Sequence, residues 1–558
     1  MISRPVVQGR EFAVASGHPL ASQAAYEILR AGGNAVDAGV AAGIALGVLE
    51  SELVGFAGVA PIMIREAGSG RLATISGVGP WPAAADIRVF EEEYEGRIPL
   101  GILRTVVPAA PDAWITALDR FGTMGFADVA EHAIEFARNG FHMYPLMADL
   151  IARYQDNYAR FPTNREIYLP GGRAPQPGDL FLQTDLAATL SFMAEEDRAA
   201  ARRGGRTAGL AAARAAFYTG DIARSIVDFH KAEGGWLREA DLSGFSVDVE
   251  EPISVRFRDW EVFGCGPWCQ GIMLLETLSI LDGVDLEALG HNSAEYLHFV
   301  TEAIKLAAAD RDAFVGDPHH VDVPVGTMLS ADFAAARRQK IRAGVASPDI
   351  PAPGVVNVEP PSETQLDTSY VCVVDAAGNI FSATPSDGSF HGPVIPGTGM
   401  VMSPRGQQSW VDRSHPSRVA PGRRPRLTPN PAIAISKQRI MPFGSPGGDV
   451  QTQAMLQAFL NHVVFGMDVQ AAIEAPRLAS YSFPSSFSPH ESEPGVLRVE
   501  QRIPAAVRRQ LADFGHRVVD WPDWSWLAGS VLMIDASREG GSRRAAADPR
   551  RAAQAMAR

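Results

Sequence analysis

The stretch LDTSYVCVVDAAGNIFSATP, residues 366–385, places two hydroxyl side chains at the head of a predicted buried strand. The β-branched run after Thr368 and Ser369, the AAGN turn and the second apolar run together predict a β-hairpin. A hydroxyl is a weak nucleophile unless a base lies beside it. An N-terminal threonine carries such a base in its own α-amine, whose ordinary pKa is about 7.7–8.0. Cleavage between Asp367 and Thr368 would therefore turn Thr368 into an activated nucleophile.

A glycine pair in FGSPGGDV, residues 443–450, could supply the other half of that chemistry. Consecutive glycines can bring two backbone N–H groups to one point, which is what an oxyanion requires. Gly447 and Gly448 are therefore candidate oxyanion donors. The alternative is that Thr368 only favours a strand and the glycines only form a turn, which are the commoner roles of these residue types.

Other catalytic and cofactor signatures are missing from the sequence. It contains no Walker pattern, no dinucleotide glycine fingerprint, no His-Glu-x-x-His pair and no Gly-x-Ser-x-Gly elbow. His319 and His320 could bind a metal, but such a pair in a loop is more often solvated, so we expect no metal site. The number and spacing of the three cysteines fit neither a disulfide framework nor a complete zinc site.

Composition and charge limit the class of protein further. The net charge of −14 argues against a nucleic-acid partner, since phosphate binding draws on surplus Lys and Arg. The longest apolar run, residues 35–49, is interrupted by Asp37 and is too short to span a bilayer, so we expect no membrane association. The N-terminus has no continuous apolar segment typical of a secretory signal, and the expected location is the cytoplasm.

The elements around these residues alternate between helical and strand patterns. Residues 18–50 predict two helices separated by a Gly32-Gly33-Asn34 break, the second of them small-residue-rich and closely packed. Short apolar runs such as APIMIRE and RLATISGVG predict strands. Residues 337–367 predict a polar, Pro-rich linker, and residues 540–558 predict a disordered tail.

Several of these segments, in order, resemble the γ-glutamyltranspeptidase (glutathione hydrolase) family of N-terminal nucleophile hydrolases. The resemblance is carried by segments such as AGGNAVDAGVAAGIALGVLE, EAIKLAAADRDAFVGDP, TSYVCVVDAAGN, PGRRPRLTPNPAI and GSPGGDVQTQAMLQAFLNHVVFGMDVQAAIEAPR. It implies an α/β (α+β type) fold, the four-layer αββα sandwich, built from two chains that one precursor produces by cutting itself before Thr368. The large chain would be residues 1–367 and the small chain residues 368–558.

The resemblance also implies roles for individual residues. Thr368 is the nucleophile, Ser386 stands in the place of the family's second threonine, and Gly447 and Gly448 match its oxyanion glycines. Such an enzyme needs no metal and no organic cofactor. Its partners are a small-molecule amide, water as the acceptor and the two chains of its own precursor, and its oligomeric state, including a homo-oligomer of heterodimers, stays open.

The substrate-binding positions depart from the family pattern. The arginine that binds the glutamyl α-carboxylate aligns with Ile87, next to Arg88, and the acidic residue that binds the α-ammonium aligns with Gln408. Further departures occur at Arg405, at Leu427 and Thr428 in place of two serines, and at Gly388 in place of an asparagine. Without an anionic partner, a γ-glutamyl ammonium would lose a contact worth roughly 1.5–3 kcal/mol.

These departures favour a different substrate for the same chemistry. Arg405, Arg424 and Arg426 could bind a carboxylate that has no neighbouring ammonium, although structural ion pairs explain Arg424 and Arg426 equally well. The segment between Gln408 and Pro425 is short, as in the family's lidless branch, which includes oxamate amidohydrolase and cephalosporin acylase-like members. The expected function is a self-processing amidohydrolase. The alternatives are γ-glutamyl transfer or glutathione hydrolysis, and a non-catalytic binding protein on the same fold.

Overall fold

The computed structural model describes residues 3–353 and 367–558, which form two antiparallel seven-stranded sheets stacked face to face between layers of helices. The first sheet has the strand order β1-β20-β19-β15-β14-β9-β8. Its strands are β1 Val7–Gly9, β8 Ile253–Phe257, β9 Trp260–Gly264, β14 Ala432–Ile435, β15 Arg439–Gly444, β19 Leu532–Ser537 and β20 Arg543–Ala547. The predicted αββα sandwich is confirmed.

The second sheet has the order β21-β2-β10-β11-β3-β4-β7 and contains the predicted hairpin. Its strands are β2 Ala13–Ser16, β3 Ile62–Arg65, β4 Leu72–Ile75, β7 Val249–Glu250, β10 Val371–Val374, β11 Ile380–Ala383 and β21 Gln554–Ala557. Val371 pairs with Ala383 and Val374 with Ile380, so β10 and β11 form the antiparallel pair that the sequence predicts. Thr368 therefore enters the sheet at the start of a central strand.

The alternation of side chains along the strands builds two kinds of core. Cys372 and Val374 of β10 pack between the sheets with Ile433 and Ile534 of the first sheet. Val371 and Val373, on the other face of β10, pack against helices. Because successive strand residues point to opposite faces, each central strand is buried on both sides and consists almost entirely of apolar residues.

Helices cover both outer faces of the sandwich. The helices are α1 Pro19–Arg30, α2 Ala35–Leu49, α3 Ile87–Glu93, α4 Ala110–Phe121, α5 Phe126–Val129, α6 Glu131–Asn139, α7 Pro145–Arg153, α8 Gln155–Ala159, α9 Pro162–Tyr168, α10 Thr184–Gly204, α11 Arg206–Tyr218, α12 Asp221–Ala232, α13 Glu239–Ser243, α14 Gly271–Leu281, α15 Leu286–Leu289, α16 Ala294–Phe314, α17 Val325–Met328, α18 Ala331–Arg338, α19 Gln451–Val463, α20 Val469–Glu474 and α21 Ala505–Asp513. Helices α1, α2 and α4 belong to the core of the second sheet, and α14, α16 and α19 to that of the first. Among the described residues, none of these helices combines the length and the apolar character that crossing a bilayer demands.

Helix α2 shows why its sequence is so rich in small residues. Its N-cap Asn34 accepts from the N–H groups of Val36 and Asp37, which fixes where the helix begins. A Cβ at Gly39 would lie 2.0 Å from the ring of Phe381, a residue of β11. The helix backbone therefore touches the sheet that carries the hairpin, and the close packing predicted from the sequence is confirmed.

The described residues also form smaller sheets. They are the pair β5 Phe141–His142 and β6 Leu180–Phe181, the pair β12 Val394–Ile395 and β13 Met400–Val401, and the three strands β16 Leu478–Ser480, β17 Val496–Glu500 and β18 Arg517–Trp521. These lie outside the two main sheets.

Two predictions about irregular segments have different outcomes. The prediction of a disordered tail at residues 540–558 is wrong, because β20 pairs with β19 and β1, and β21 pairs with β2. The side chains of Ala545, Ala547 and Ala555 are buried between the two sheets, in the same cluster as larger apolar residues such as Ile534. Of the predicted linker 337–367, the first residues belong to α18, and residues 354–366 lie outside the described residues.

Candidate active site

The Thr368 hydroxyl lies in a fully buried polar cluster immediately before β10. Its Oγ1 is 2.8 Å from the Ser386 Oγ and donates to the Asp367 Oδ1 at 3.1 Å. The side-chain amide of Gln451 lies 3.3 Å from the same Oγ1. The structure therefore brings together the two hydroxyls that the sequence singles out, although they are 18 residues apart.

The backbone at this junction is strained. Thr368 has a φ of 102° and Asp387 a φ of 98°, both in a region that L-residues rarely adopt, and that a β-branched residue adopts least of all. Such a conformation costs on the order of 1–3 kcal/mol and persists only where surrounding contacts impose it. Here the Thr368 N–H donates to the Leu53 carbonyl at 3.1 Å, and the Thr368 carbonyl accepts from the Arg551 Nη1 at 2.9 Å.

The glycine pair lies next to this cluster, at the start of α19. Gly447 and Gly448 have φ values of 122° and 53°, which favour glycine. Within residues 3–353 and 367–558, neither N–H group donates to a protein acceptor, so both are free to bind an incoming oxyanion. The Gly448 carbonyl accepts from the Gln270 Nε2 at 3.0 Å, and Arg311 in turn holds the Gln270 Oε1 at 3.1 Å.

Arg405 connects the residues on both sides of the predicted cleavage point. Its Nη2 donates to the Asp367 Oδ2 at 2.7 Å and also to the Ser386 hydroxyl, while its Nε donates to the Asp387 carboxylate. Burial opposes the charge of this completely buried guanidinium, but the Asp367 and Asp387 carboxylates outweigh that effect and raise the pKa of Arg405. Its Nη1 has no hydrogen-bond partner among the described residues, which leaves a donor for another ligand.

Gln408 and Thr428, two further predicted substrate residues, are in direct contact. The Gln408 Nε2 donates to the Thr428 Oγ1 at 2.8 Å, and the Thr428 N–H donates back to the Gln408 Oε1 at 3.3 Å. Gln270 links this pair to the glycine loop, since its Nε2 also donates to the Thr428 carbonyl at 2.9 Å. The two residues therefore lie beside the candidate oxyanion site. The Gln408 side-chain amide is bonded to Thr428 through both its nitrogen and its oxygen.

The remaining predicted residues are explained by packing or lie elsewhere. A Cβ at Gly388 would lie 2.3 Å from the Glu52 carbonyl oxygen, so close backbone contact accounts for glycine there. Arg88 is 67% exposed and pairs with Asp86 at 2.6 Å, so the structure does not bring it to the Thr368 cluster. The arginines Arg424 and Arg426 form ion pairs with Asp317 and Asp312 at 2.8 Å, as the structural alternative predicts.

Sequence reasoning missed a buried set of charged residues, Glu50, Glu52 and Arg551, close to the Thr368 segment. Glu50 and Glu52 follow α2, and burial raises the pKa of both carboxyls, that of Glu52 to about 8. The Tyr144 hydroxyl donates to the Glu52 Oε1 at 2.9 Å. Burial lowers the pKa of Arg551, although the neighbouring carboxylates oppose that effect. The only sequence signal is the occurrence of two acidic residues directly after a helix in which Asp37 is the one charged residue.

Sequence reasoning also missed His391, which lies near the Asp367 carboxylate, and Arg104, which lies next to His391. The His391 Nε2 lies 4.0 Å from the Asp367 Oδ2, and its Nδ1 lies 3.5 Å from the Arg104 Nη1. Burial, with the charges of Arg104 and Arg405, lowers the pKa of His391 well below its ordinary value, so the ring is neutral. Burial also lowers the pKa of Arg104 to about 9. The Asp367 carboxylate therefore accepts hydrogen bonds from Arg405 and Thr368 and lies close to the His391 ring.

Among the described residues, two groups of side chains have donor atoms close enough together to hold a metal. They are His298, Glu302 and His516 in the interior, and Asp248, Glu250 and His319 nearer the surface. In the buried group, the Lys305 Nζ already donates to Glu302 at 2.7 Å, which would repel a cation. Neither group includes a residue of the Thr368 cluster.

Comparison with known proteins places this geometry in a family. The family model described as Gamma-glutamyltranspeptidase matches residues 21–558. The Acylase ACY 1 proenzyme of Pseudomonas sp. (strain SE83) is 34% identical over 94% of this chain and 90% of its own length. The Glutathione hydrolase-like YwrD proenzyme of Bacillus subtilis (strain 168) is 31% identical over 98% of both chains.

A further relative and a solved structure extend the comparison. The Oxamate amidohydrolase proenzyme of Klebsiella pneumoniae subsp. pneumoniae is 29% identical over 96% of both chains. The crystal structure of cephalosporin acylase from Bacillus halodurans superimposes with a TM-score of 0.86 at 29% identity, over 100% of this chain and 97% of that one. The chain belongs to the γ-glutamyltranspeptidase family.

Proposed function

We propose that this protein is a self-processing amidohydrolase whose nucleophile is Thr368. The observation that carries the proposal is the junction itself. Thr368 is strained and buried, and its Oγ1 contacts the Ser386 hydroxyl at 2.8 Å and the Asp367 side chain at 3.1 Å. Surrounding hydrogen bonds hold Thr368 in a strained backbone conformation. Strained residues of this kind cluster at active sites, where the strain is part of the mechanism.

The processing step is an N-to-O acyl shift. The Thr368 Oγ1 forms a bond to the Asp367 carbonyl carbon, the Asp367–Thr368 C–N bond breaks, and the hydroxyl proton ends on the new amine. Water then hydrolyses the resulting ester. This step releases Asp367 with a new C-terminal α-carboxylate and restores the Thr368 hydroxyl. Ser386 and Arg405 hold the groups on both sides of this bond.

The same hydroxyl then acts on substrate. The Thr368 amine accepts the hydroxyl proton while Oγ1 attacks an amide carbonyl, and it returns the proton to the leaving amine. The free N–H groups of Gly447 and Gly448 stabilise the oxyanion. Water attacks the acyl-enzyme in the second half of the cycle and releases the acid.

Asp367 itself indicates the substrate class, because it is the acyl part of the first bond that Thr368 cleaves. Two carbons, Cα and Cβ, separate its side-chain carboxylate from the carbonyl that reacts. That carboxylate contacts the Arg405 Nη2 at 2.7 Å and lies 4.0 Å from the His391 ring. We therefore propose that Arg405 binds the carboxylate of a short dicarboxylic acyl group, such as succinyl or glutaryl, after Asp367 has been released.

A γ-glutamyl group fits this site less well. Gln408 is neutral and already bonded to Thr428, so neither side chain supplies the negative charge that an α-ammonium would need. Loss of such a contact costs roughly 1.5–3 kcal/mol, or about a factor of 10 to 100 in rate or affinity. The names of two relatives, an acylase and an oxamate amidohydrolase, are in keeping with an amide other than γ-glutamyl.

Glutathione hydrolysis or γ-glutamyl transfer is the second candidate, since another relative is named glutathione hydrolase-like. The test compares hydrolysis of succinyl, glutaryl and γ-glutamyl anilides and of oxamate, each with and without glycylglycine as acceptor. We expect hydrolysis of a carboxyacyl anilide at least tenfold faster than of the γ-glutamyl anilide, with no gain from glycylglycine. Faster γ-glutamyl turnover that glycylglycine accelerates would contradict the substrate assignment but leave the nucleophile in place.

The Gln408→Glu variant provides a matched control for this comparison. A carboxylate at this position restores the charge that an α-ammonium needs, without changing the length of the side chain. We expect the variant to gain γ-glutamyl activity relative to the carboxyacyl activity.

A further inference from the structure

Three arginines line a cavity of about 280 Å³ that is separate from the Thr368 cluster. No acidic side chain of the described residues lines this cavity. Arg65 ends β3, Arg538 follows β19 and Arg543 begins β20. The turn between β10 and β11, residues 376–378, forms another wall. The cavity therefore lies where turns of the two main sheets meet, past the end of β10 that is remote from Thr368.

The positive charge of this cavity is only partly offset: burial lowers the pKa of Arg543, and the charge of the nearby Asp375 carboxylate opposes that effect. Within the described residues, none of the three guanidiniums lies within 4.0 Å of a carboxylate oxygen, in a chain whose net charge is −14. The Arg65 Nη1 reaches only the Gly378 carbonyl, at 3.4 Å, and the Arg538 Nη1 donates to the Ser436 carbonyl at 2.9 Å. Burial and the neighbouring charge of Arg538 lower the pKa of Arg65. An anion would relieve this repulsion.

One of the three arginines is fixed in place before any ligand arrives. Arg543 is buried, and its guanidinium donates to the carbonyls of Arg10 at 2.6 Å and of Asp375 and Ala376 at 3.1 Å. A guanidinium has more N–H groups than these carbonyls use. Because its position is already determined, little side-chain entropy is lost when it binds a ligand.

We propose that this cavity binds a phosphate-sized oxyanion, either free phosphate or the phosphate group of a small molecule. Guanidiniums that form no ion pair with a described carboxylate suit a doubly charged anion, and the guanidinium fork matches the spacing of phosphate oxygens. The site itself does not depend on the proposed cleavage. If Asp367–Thr368 is cut, however, Arg65 belongs to the large chain and Arg538 and Arg543 to the small chain. The bound anion would then hold the two chains together, a consequence that rests on the proposed function.

The test measures thermal unfolding and calorimetric binding of the full chain with inorganic phosphate, at an ionic strength held constant with chloride. We expect a saturable rise in Tm that chloride does not produce. Arg538→Gln and Arg65→Gln should each weaken the apparent affinity at least tenfold. Arg256→Gln is the matched control, since it removes an exposed arginine on β8 whose side chain has no hydrogen bond or ion pair with another described residue, and it should bind phosphate as the wild type does.

The outcomes separate this site from the proposed catalysis. Arg538 is exposed, so its replacement leaves the fold intact even if the Arg65 variant fails to fold. Wild-type affinity in Arg538→Gln, or equal effects of phosphate and chloride on Tm, would overturn the proposal. A Thr368→Ala chain, which cannot cut itself, should bind phosphate with wild-type affinity. Tighter binding of glycerol 3-phosphate than of phosphate would identify a phosphate ester as the ligand, and the reverse would identify the free ion.

Discussion

At the scale of single residues, Arg405 is the group around which the candidate site is built. It bonds the Asp367 carboxylate and the Ser386 hydroxyl, so one buried charge positions both the residue before the proposed cleavage point and the partner of the proposed nucleophile. If Asp367 leaves after cleavage, the guanidinium loses a carboxylate ligand, and its Nη1 has no partner among the described residues. A substrate carboxylate would satisfy both deficits.

Replacement of Ser386 tests the contact with the nucleophile. Ser386→Ala removes the hydroxyl 2.8 Å from the Thr368 Oγ1 and leaves an Arg405 donor without its acceptor. Because bonds that involve a charged group are worth roughly 1.5–3 kcal/mol, we expect cleavage to slow by about 10- to 100-fold. Gel analysis of freshly synthesised chain over time measures the rate. Ser386→Thr restores the hydroxyl and should cut at a rate within about threefold of wild type.

The raised pKa of Glu52 should make the stability of the fold depend on pH. Its carboxyl titrates near 4.5 in the unfolded chain and at about 8 in the folded one, so the folded state retains the proton between these values. Stability should therefore fall as pH rises from 4.5 to 8, by an amount on the order of a few kcal/mol. Glu52→Gln keeps an acceptor for Tyr144 and cannot lose a proton. Urea unfolding at pH 5 and pH 8 should show a smaller loss for this variant, and an equal loss would show that Glu52 does not titrate in this range.

Some of these residues could be foreseen from the sequence and others could not. The Asp367-Thr368 junction and the glycine pair stand out because their residue types allow the chemistry, and the family resemblance adds Ser386. The sequence contains no comparable sign of Asp387, Glu52 or Arg551, whose roles depend on contacts between distant segments. Arg88 was chosen because it lies next to an aligned position, and the fold instead leaves it exposed in a local ion pair.

At the scale of elements, the C-terminal strands show the limit of composition as a guide. Residues 540–558 contain many Gly, Arg and Ala residues and few large apolar ones, a pattern typical of an unpacked tail. Strand pairing nevertheless orders these residues, and Ala545 and Ala555 are buried between the two sheets. The hairpin, by contrast, was predictable because its β-branched residues and its turn are local signals.

Deletion of residues 554–558 tests the role of β21. The deletion exposes the edge of β2, and it also removes the Arg558 carbonyl, which accepts from the N–H groups of Arg10 and Glu11 at 2.6 Å. We expect a fall in Tm of several degrees, on the order of 5 °C or more, and slower cleavage, because Arg551 is no longer anchored. The control is Arg558→Ala, which keeps the backbone and loses only a half-exposed ion pair with Glu11. A wild-type Tm for the deleted chain would show that β21 adds nothing to stability.

At the scale of the whole molecule, both main sheets combine strands from the two sides of the proposed cleavage point. In the second sheet, β10 and β11 lie between β2 and β3, although the proposed cleavage point lies between these pairs in the sequence. The first sheet likewise pairs β14 with β9. Neither predicted chain has a complete sheet of its own, and each buries its apolar faces against the other.

The two chains should therefore behave as one folded unit after cleavage. We expect them to elute together in size-exclusion chromatography at about 1 M salt, since the contacts between them are mostly apolar and are not screened. Thermal unfolding of the cleaved protein should show one cooperative transition. Separation of the chains in salt without denaturant would contradict this arrangement.

We propose above all that the chain cuts itself before Thr368 and thereby creates its nucleophile. Intact-mass spectrometry of the purified protein over a time course tests this cleavage. We expect two species, residues 1–367 and a small chain of 558 − 367 = 191 residues with Thr368 at its N-terminus, and a single uncut chain for Thr368→Ala. A wild-type protein that remains one 59.7 kDa species, or a Thr368→Ala chain cut at the same bond, would contradict it.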